Sequence, residues 1–406
     1  MKSFESFGLC PTLSKSLAEM TYTKPTPIQA QAIPLALKGH DIMGSAQTGT
    51  GKTAAFAIPL IEKLMNTQHG SALVLTPTRE LGKQIMGIMH QLLGTKSKIK
   101  TAFIIGGEPM SKQLKQLRHQ PRLIVGTPGR INDHLERQTL KLNDTDFLVL
   151  DETDRMLDMG FTVQLEKIFK HMPDQRQTLM FSATLPKNIL KLSEKYLNDP
   201  KRVSVGAINV IAKNIKQEVI RIEQSKKYKE LISQLNNRNG SVIVFVKTKY
   251  GADKIAKHLR RDGFKSEALH GDLRQNKRNK VMQNFRTQNF RILIATDIAA
   301  RGLDVPHIEH VINYDLPQVP EDFIHRMGRT ARAGAEGSAI SFVSDQDSRK
   351  WHAITRLLDP DAKNTDPSKP KRNSKGKKRR FSGKKKQNWN RSGAKRRIRN
   401  KKKKAA

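Results

Sequence analysis

The sequence alternates short apolar runs with longer segments of helical spacing, and this alternation restricts the fold more than any other feature. The runs are rich in Val, Ile and Leu and lack a clear period of two, which is typical of parallel strands covered on both faces. Segments 79–93 and 251–261 have helical spacing. The pattern predicts an α/β architecture. The predicted strands are 72–75, 102–105, 123–125, 147–150 and 178–181 in a first set, and 242–246, 291–295, 310–313 and 339–343 in a second.

The two sets of strands predict two α/β domains. The chain has 406 residues, and the part with strand and helix patterns is too long for a single hydrophobic core. Polar sequence without periodicity separates the two sets. We therefore expect a first domain at 1–205, a linker at 206–214, a second domain at 215–358 and a tail at 359–406. The sequence shows no internal repeat.

The charge of the chain indicates a polyanionic partner. It has 75 Lys and Arg against 37 Asp and Glu, a formal net charge of +38, and nucleic acid is a better candidate than an anionic membrane. Residues 367–406 hold 20 of the basic residues and no acidic residue. A segment with so few apolar residues cannot offset its chain entropy, so we expect disorder. A run of one sign favours a nucleic-acid-binding arm over a merely solvated tail.

Cysteine usage and hydropathy limit the compartment. The single Cys10 cannot form an internal disulfide, which fits a reducing compartment. The first residues show no basic segment followed by an apolar run, so no signal peptide is visible. No stretch approaches ~18 apolar residues, so we expect no membrane span. These features favour a cytoplasmic protein.

A glycine-rich loop is the sharpest chemical signal. It follows an apolar segment at 41–43 and leads into a helical stretch at 54–64, the strand–loop–helix setting of a phosphate-binding loop. Glycines let backbone N–H groups approach phosphate oxygens, and the helix N-terminus adds partial positive charge. Lys52 can reach the β- and γ-phosphates, and the Thr53 hydroxyl can bind Mg²⁺. The predicted nucleotide-binding residues of the loop are Ala46, Gln47, Thr48, Gly49, Thr50, Gly51, Lys52 and Thr53.

Two carboxylates complete the expected hydrolytic site. Asp151 and Glu152 follow four apolar residues, which places them at the carboxyl end of a strand, where open α/β sheets bind ligands. We expect Asp151 to hold Mg²⁺ and Glu152 to orient and deprotonate the attacking water. Together with the loop, the pair predicts hydrolysis of a nucleoside triphosphate.

The chain up to residue 358 resembles the DEAD-box RNA helicases in the order and spacing of its motifs. Asp151-Glu152-Thr153-Asp154 is one substitution from the sequence that names the family. Thr153 and Ala46 are the visible departures from the patterns, and Ala46 is usual in this family. Further resemblances lie at 22–29, 77–81, 106–107, 127–130, 182–184, 245–248, 275–278, 300–304 and 325–332. The resemblance implies two tandem RecA-like domains with parallel sheets, a bacterial type of family member, and ATP and Mg²⁺ as cofactors.

The resemblance also assigns roles to residues. It implies adenine recognition by Tyr22, Lys24 and Gln29, a ribose contact for Asp304, and arginine fingers at Arg329 and Arg332, whose spacing places them on one side of a helical turn. It implies coupling of hydrolysis to RNA binding through Ser182, Thr184 and His325. The RNA contacts implied by the resemblance are Arg79, Gly107, Thr127, Arg130, Thr248, Arg278 and Thr296.

This arrangement divides the active site between two domains. ATP and RNA together would close the cleft, so RNA should stimulate hydrolysis. With 5% aromatic residues, RNA binding should depend on the backbone rather than on base sequence. The resemblance implies local unwinding of short duplexes or remodelling of RNA–protein complexes, with ribosomal or ribonucleoprotein partners. The alternatives are a DNA-dependent translocase, which would respond to DNA rather than RNA, and a non-catalytic RNA clamp or annealing chaperone, which would lack ATPase activity. The Lys-rich runs also leave a nuclear-targeting signal open.

Removal of residues 367–406 should weaken RNA binding and flatten its salt dependence. A flexible tail of this length reaches about 35 Å, and each neutralised single-strand phosphate contributes ~0.7 to the slope of log K against log salt. Maximal ATP turnover at saturating RNA should survive, because all ATP motifs precede the tail. RNA titrations across a salt series, with kcat measured alongside, check this. An unchanged slope would make the tail a solubility or targeting element, and a collapsed kcat would make it part of the motor.

Overall fold

Two parallel β-sheets organise the chain in the computed structural model, which describes residues 3–46, 49–184, 187–205, 214–300, 305, 307–331 and 335–359. The first sheet has the order β3-β4-β2-β5-β6-β1-β7, and the second has the order β10-β11-β9-β12-β13-β8. Every strand pair is parallel. The α/β architecture predicted from the sequence is therefore confirmed.

The strands of each sheet are separated by helices. The first sheet contains β1 (Ile42–Ala46), β2 (Ser71–Leu75), β3 (Thr101–Ile104), β4 (Leu123–Gly126), β5 (Thr145–Leu150), β6 (Gln177–Ser182) and β7 (Lys201–Val205). The second contains β8 (Ile215–Arg221), β9 (Ser241–Phe245), β10 (Ser266–Leu269), β11 (Ile292–Ala295), β12 (Ile308–Asn313) and β13 (Gly337–Val343).

Helices before and between the strands of the first sheet are α1 (Pro11–Glu19), α2 (Pro27–Leu37), α3 (Lys52–Asn66), α4 (Arg79–Leu93), α5 (Met110–Arg118), α6 (Pro128–Glu136), α7 (Thr153–Asp158), α8 (Thr162–Phe169) and α9 (Lys187–Tyr196). Those of the second sheet are α10 (Lys227–Asn236), α11 (Lys249–Arg261), α12 (Gln275–Arg286), α13 (Asp297–Ala300), α14 (Pro320–Met327) and α15 (Ser348–Leu358). None of the helices in the described ranges is long and apolar enough to cross a membrane.

Alternate residues of the central strands enter different hydrophobic cores. In β2, Ala72 and Val74 belong to the core on one face, whereas Leu73 and Leu75 belong to the core on the other. The second sheet is covered in the same way, with Ile243 and Phe245 of β9 on one face and Val242 and Val244 on the other. Burial on both faces explains why these strands appear in the sequence as uninterrupted apolar runs.

Three strands were not predicted, and all three lie at sheet edges. β7 ends the first sheet, and β8 and β10 end the second. An edge strand has one neighbour and is partly exposed, so it tolerates charged residues such as Lys216, Glu218 and Arg221 of β8. The hydrophobic pattern that reveals central strands is therefore absent from them. Residues 206–213 of the predicted linker and the tail from 360 onward lie outside the described residues.

The strand order places the predicted site residues at the carboxyl ends of the strands in each sheet. In the first sheet, β5, β6 and β1 are consecutive neighbours and lead into Asp151, the 182–184 segment and the glycine-rich loop. The other half, β3, β4 and β2, leads into the predicted RNA-contacting segments at 106–107, 127–130 and 77–81. The strands are parallel, so their carboxyl ends lie on the same side of the sheet. The two sets of segments therefore occupy two halves of that side.

Candidate active site and nucleic-acid interface

The glycine-rich loop connects β1 to α3. Gly51 adopts φ 90° and caps the N-terminus of α3, a conformation that side-chain-bearing residues rarely adopt. A Cβ at Gly51 would collide with the side-chain amide of Gln29. Lys52 is buried, and its ammonium donates a hydrogen bond to the Ala46 carbonyl at 2.6 Å. The predicted phosphate contacts Gln47 and Thr48 lie outside the described residues. Gly49 and Thr50 lie in the loop, and Thr53 lies in the first turn of α3.

Gln29 joins the adenine-recognition segment to this loop. Its side-chain oxygen accepts a hydrogen bond from the Thr26 backbone at 2.9 Å, and its amide nitrogen donates to the Gly51 carbonyl at 3.1 Å. The first of these bonds is half of a capping box at the start of α2. A primary amide retains a second donor hydrogen and a second acceptor lone pair, so Gln29 can still pair with a base edge.

The other two predicted adenine contacts differ in burial. Tyr22 is half-buried and packs edge-on against Phe4, with ring centroids 5.7 Å apart. Lys24 is exposed. The aromatic pair holds the segment before α2 against the first domain, and the exposed face of Tyr22 is available to a stacked base.

Asp151 lies at the carboxyl end of β5 in an environment that disfavours its charge. Burial raises the pKa of Asp151 to about 7, although the nearby Lys52 ammonium opposes this shift. A carboxylate that is costly to ionise in a dry site favours a bound cation. No cluster of three acidic, His or Cys side chains forms in the described ranges, so a cation held by Asp151 and Thr53 would take its remaining ligands from phosphate and water, as Mg²⁺ commonly does. The residues present therefore fit Mg²⁺.

Glu152 is held in an unusual backbone conformation. It is a non-glycine residue with φ 50°, and it precedes the first residue of α7. Its side chain is buried at 7% exposure, and among the described residues its Oε2 has no hydrogen-bond partner. A buried carboxylate oxygen without a partner is poised to accept a hydrogen bond from a ligand or a water. Backbone strain of this kind is common at functional sites.

Thr153, the departure from the family pattern, is accommodated without an unpaired hydroxyl. The side chain is fully buried, and its hydroxyl can donate to the carbonyl oxygens of Leu150 at 3.2 Å and Phe181 at 3.3 Å. The extra polar atom thereby links the carboxylate segment to the end of the neighbouring strand β6.

Asp154 joins three of the predicted motifs. One of its carboxylate oxygens accepts hydrogen bonds from the backbone and hydroxyl of Thr184, each at 3.0 Å, and from the Ala183 backbone at 3.1 Å. The same oxygen lies 4.0 Å from Nε2 of His325, which comes from the second sheet. The Ser182 hydroxyl donates to the Thr184 carbonyl at 2.6 Å and stabilises the turn. Asp154 thus brings His325 close to the 182–184 segment.

The predicted helical turn that carries both arginine fingers is only partly described. α14 ends at Met327, so Arg329 lies beyond the end of this helix, and Ala331 adopts φ 55°. Arg329 is buried, and its Nε donates to the His325 carbonyl at 3.1 Å. Arg332 and the predicted ribose contact Asp304 lie outside the described residues.

Arg326, three residues before Arg329, has a structural environment. It is paired with Asp297 at 2.6 Å and donates to Asn313 and to the Asp315 carbonyl, and its guanidinium stacks over the ring of Phe245. Arginines recur every three residues in this segment, at 326, 329 and 332. The contacts of Arg326 show that this spacing does not give the arginines equivalent roles.

Four of the predicted RNA-binding residues line a shared cleft of about 400 Å³. Arg79, Thr127 and Arg130 belong to the part of the chain that forms the first sheet, and Arg278 belongs to the part that forms the second. Interactions that cross the cleft include Arg79 donating to Gln275 at 2.8 Å, Gln275 donating to Glu80 at 3.4 Å, and Arg278 pairing with Glu80 at 2.8 Å. Nη1 of Arg130 has no hydrogen-bond partner among the described residues. The cleft therefore presents guanidinium groups from both sheets.

The other three predicted RNA contacts are not among the residues that line this cleft. Gly107 adopts φ 82°, and a Cβ there would collide with the guanidinium of Arg79. Thr248 is the exposed N-cap of α11 and accepts a hydrogen bond from the Gly251 backbone at 2.9 Å. Thr296 is buried and follows β11. These positions occupy the carboxyl ends of β3, β9 and β11.

One buried ion pair connects the two halves of the molecule. Arg155 of α7 and Asp322 of α14 are 2.8 Å apart, and their side chains are 3% and 7% exposed. In the sequence, Arg155 follows Asp154 directly, and Asp322 precedes His325 by three residues. Sequence reasoning did not identify this pair, the Glu80–Arg278 pair or the bridging position of Asp154, because nothing in a sequence shows which charges meet across a cleft.

Comparisons with known proteins agree with this geometry. The DEAD/DEAH box helicase model matches residues 26–192, and the helicase conserved C-terminal domain model matches residues 223–334. The DEAD-box ATP-dependent RNA helicase CshA of Geobacillus kaustophilus is 43% identical over 359 residues, covering 88% of this chain and 76% of the relative. The chain belongs to the DEAD-box helicase family. CshA of Bacillus subtilis is 41% identical over 354 residues, which cover 87% of this chain and 72% of that protein.

Solved structures of DEAD-box proteins share the fold. Saccharomyces cerevisiae Dbp5 bound to RNA and ADP BeF3 has a TM-score of 0.80 at 32% identity, over 88% of this chain and 94% of that one. Mss116p bound to single-stranded RNA and AMP-PNP has a TM-score of 0.79 at 30% identity, over 87% of this chain and 76% of that one. The prediction of two tandem RecA-like domains with parallel sheets is therefore confirmed.

Breaking the Arg155–Asp322 pair should impair closure of the cleft. Asp322→Leu removes the carboxylate that pairs with the buried Arg155 guanidinium, and Arg155→Met removes the guanidinium from the same pair. Breaking a buried pair costs about 3–5 kcal/mol, whereas in an open cleft both groups can be hydrated. Each single variant should therefore lose RNA-stimulated turnover by about 10²- to 10³-fold or more. The double variant should recover part of this loss. RNA-stimulated kcat measures the effect, with thermal unfolding as the control for folding. Additive losses in the double variant would contradict a pairwise role.

Proposed function

We propose that the chain is an RNA-dependent ATPase that couples ATP binding and hydrolysis to sequence-independent RNA clamping and local unwinding. The observation that carries this function is that the two sets of predicted site residues lie at the carboxyl ends of the strands of the first sheet, with side-chain contacts to the second half of the molecule beside each set. Arg155–Asp322 crosses beside the hydrolytic carboxylates, and Glu80–Arg278 crosses in the RNA cleft. One closing motion would therefore assemble both sites.

The nucleotide would bind across the carboxyl ends of β1 and β5. Its adenine would stack on Tyr22 and pair with Gln29, with Lys24 at the rim. Its phosphates would bind the backbone of the glycine-rich loop and Lys52, whose ammonium would exchange the Ala46 carbonyl for phosphate oxygen. Dbp5 is bound to ADP BeF3 and Mss116p to AMP-PNP in their solved structures, which supports ATP as the cofactor.

Mg²⁺ would be held by Thr53 and Asp151 together with the phosphates. When bound, it neutralises phosphate charge and orients the γ-phosphate. Glu152 would accept a hydrogen bond from the attacking water through its unpartnered Oε2 and take up its proton. Arg329 and Arg332 would approach the γ-phosphate from the second domain and stabilise the charge of the transition state.

Coupling would run through the Asp154 junction. His325 of the second domain reaches the Asp154 oxygen that holds Thr184, so closure on the nucleotide side would be sensed by the 182–184 segment. RNA would be held through its backbone by the residues on both sides of the cleft, including Arg79, Arg130 and Arg278. The family comparison and the RNA-bound relatives favour this function over a DNA translocase.

The domain assignment belongs to this proposal. Residues 1–205 would form the ATP-binding domain, 206–214 the linker, 215–358 the C-terminal helicase domain, and 359–406 an RNA-binding tail. Ribosomal or ribonucleoprotein partners and a cytoplasmic location are further proposals, which rest on the bacterial relatives. RNA crosslinking in cells, followed by sequencing of the bound fragments, would identify the RNA.

Glu152→Gln should abolish turnover and preserve ATP binding. The amide has the size of the carboxylate but cannot take a proton from water, so an ATP-dependent RNA complex should accumulate. ATPase assays with RNA and with DNA, together with RNA binding in the presence of ATP, test the proposed function directly. Hydrolysis near the wild-type rate would remove Glu152 from the role of base, and equal stimulation by DNA would favour the translocase.

Arg329→Ala should lower kcat by about 10³-fold or more with little change in ATP affinity, because an arginine finger stabilises the transition state more than the ground state. Arg326→Ala is the informative comparison, since its contacts lie within the second domain and its loss should reduce stability first. Weaker ATP binding with unchanged kcat in the Arg329 variant would assign Arg329 to substrate binding instead.

A further inference from the structure

The outer face of α11 combines an exposed aromatic ring with a row of cations. Tyr250 is 76% exposed, the largest exposure of any large hydrophobic side chain in the described ranges. Lys254, Lys257 and Arg261 follow it at spacings of four, three and four residues and are all exposed. These four residues, the α11 stripe, share one face of the helix. The opposite face is buried through Ala252, Ile255, Ala256 and Leu259.

The cations of the α11 stripe have no ion-pair partner among the described residues. In the part of the chain that the structure describes, Lys254, Lys257 and Arg261 form no ion pair. The nearest acidic residue on the helix, Asp253, lies to one side, with its carboxylate 3.0 Å from Nε2 of His270. Three unpaired cations on one helix face make a surface complementary to a polyanion.

The α11 stripe begins at the edge of the RNA cleft. Thr248, a predicted RNA contact, is the N-cap of the helix. Lys249, beside Tyr250, packs near Gly271, where a Cβ would lie 3.9 Å from the Lys249 Cε. Gly271 lines the cleft together with Arg278. A strand bound in the cleft can therefore continue onto α11 without crossing an intervening element.

We propose that the α11 stripe is a second RNA-binding surface, which extends the path of the RNA beyond the cleft along the flank of the second domain. From Tyr250 to Arg261 the helix rises about 16 Å. Lys254, Lys257 and Arg261 bind successive phosphates as the RNA leaves the cleft. Tyr250 stacks on a base at the exit, a contact that tolerates any sequence. This inference rests on the proposed RNA-dependent function and adds a contact that cleft-length RNA does not reach.

The test compares a charge-neutralised stripe with a matched control. The Lys254→Gln/Lys257→Gln/Arg261→Gln variant removes three charges from α11. The Lys96→Gln/Lys98→Gln/Lys100→Gln variant removes three exposed charges at the amino ends of the first sheet, opposite the cleft. Both variants keep the tail and every residue of the cleft. Two RNAs are used: a single strand that only fills the cleft, and the same strand extended at either end.

The stripe variant should bind extended RNA on the order of tenfold more weakly, because it loses three exposed ion pairs with RNA phosphates. The slope of log K against log salt should become shallower by about 2. Binding of the short RNA and kcat at saturating short RNA should be unchanged. Tyr250→Leu should weaken the binding of extended RNA without changing the slope of log K against log salt. The control variant should leave the difference between the two RNAs intact.

Two outcomes would overturn the proposal. Unchanged binding of extended RNA by the stripe variant would make the α11 stripe a solvated face. Equal losses in the stripe and control variants would indicate a general effect of net charge. The wild-type protein separates this inference from the proposed function. If short RNA fails to stimulate the wild-type ATPase, the proposed function is wrong. If short RNA stimulates the ATPase but the stripe substitutions do not change the binding of extended RNA, only this inference is wrong.

Discussion

The parallel direction of the strands is the constraint on which the rest of the structure depends. The carboxyl ends of all strands of a sheet lie on the same side of the sheet, so residues that are far apart in sequence become neighbours there. In the first sheet, the loop after β1 and the carboxylates after β5 flank the segment after β6. The other half of this side of the sheet carries the predicted RNA-contacting segments. The two predicted sites are therefore adjacent without a dedicated connecting element.

Contacts between the two halves of the molecule join both predicted sites. Arg155–Asp322 and Asp154–His325 lie at the predicted nucleotide site, and Glu80–Arg278 lies at the predicted RNA site. Charged pairs suit this purpose better than apolar contacts. When the cleft opens, each partner can be hydrated, so the gain from closure stays small and reversible. An apolar interface of similar size would favour the closed state and expose hydrophobic surface on opening.

The strained and polar positions of the molecule cluster at the same edges. Glu152 combines positive φ, burial and an unpartnered oxygen, and Asp151 is buried where its charge is disfavoured. Each would be unfavourable in an ordinary core. Their coincidence beside the glycine-rich loop is typical of a functional site, where strain and perturbed pKa values are concentrated.

The sequence alone determined the α/β class, the central strands and the identity of nearly every candidate residue, because burial on both faces and the glycine-rich loop leave strong local patterns. It did not reveal the edge strands β7, β8 and β10, which contain charged residues and lack a long apolar run. It also did not show that α14 ends before Arg329. Tertiary structure alone decided that Asp154 receives His325, that Arg155 meets Asp322, and that Tyr250 stands exposed beside three cations. The physical reason is that pairing across a cleft and exposure on a helix face depend on how elements are placed in space, and local sequence patterns carry no information about that placement.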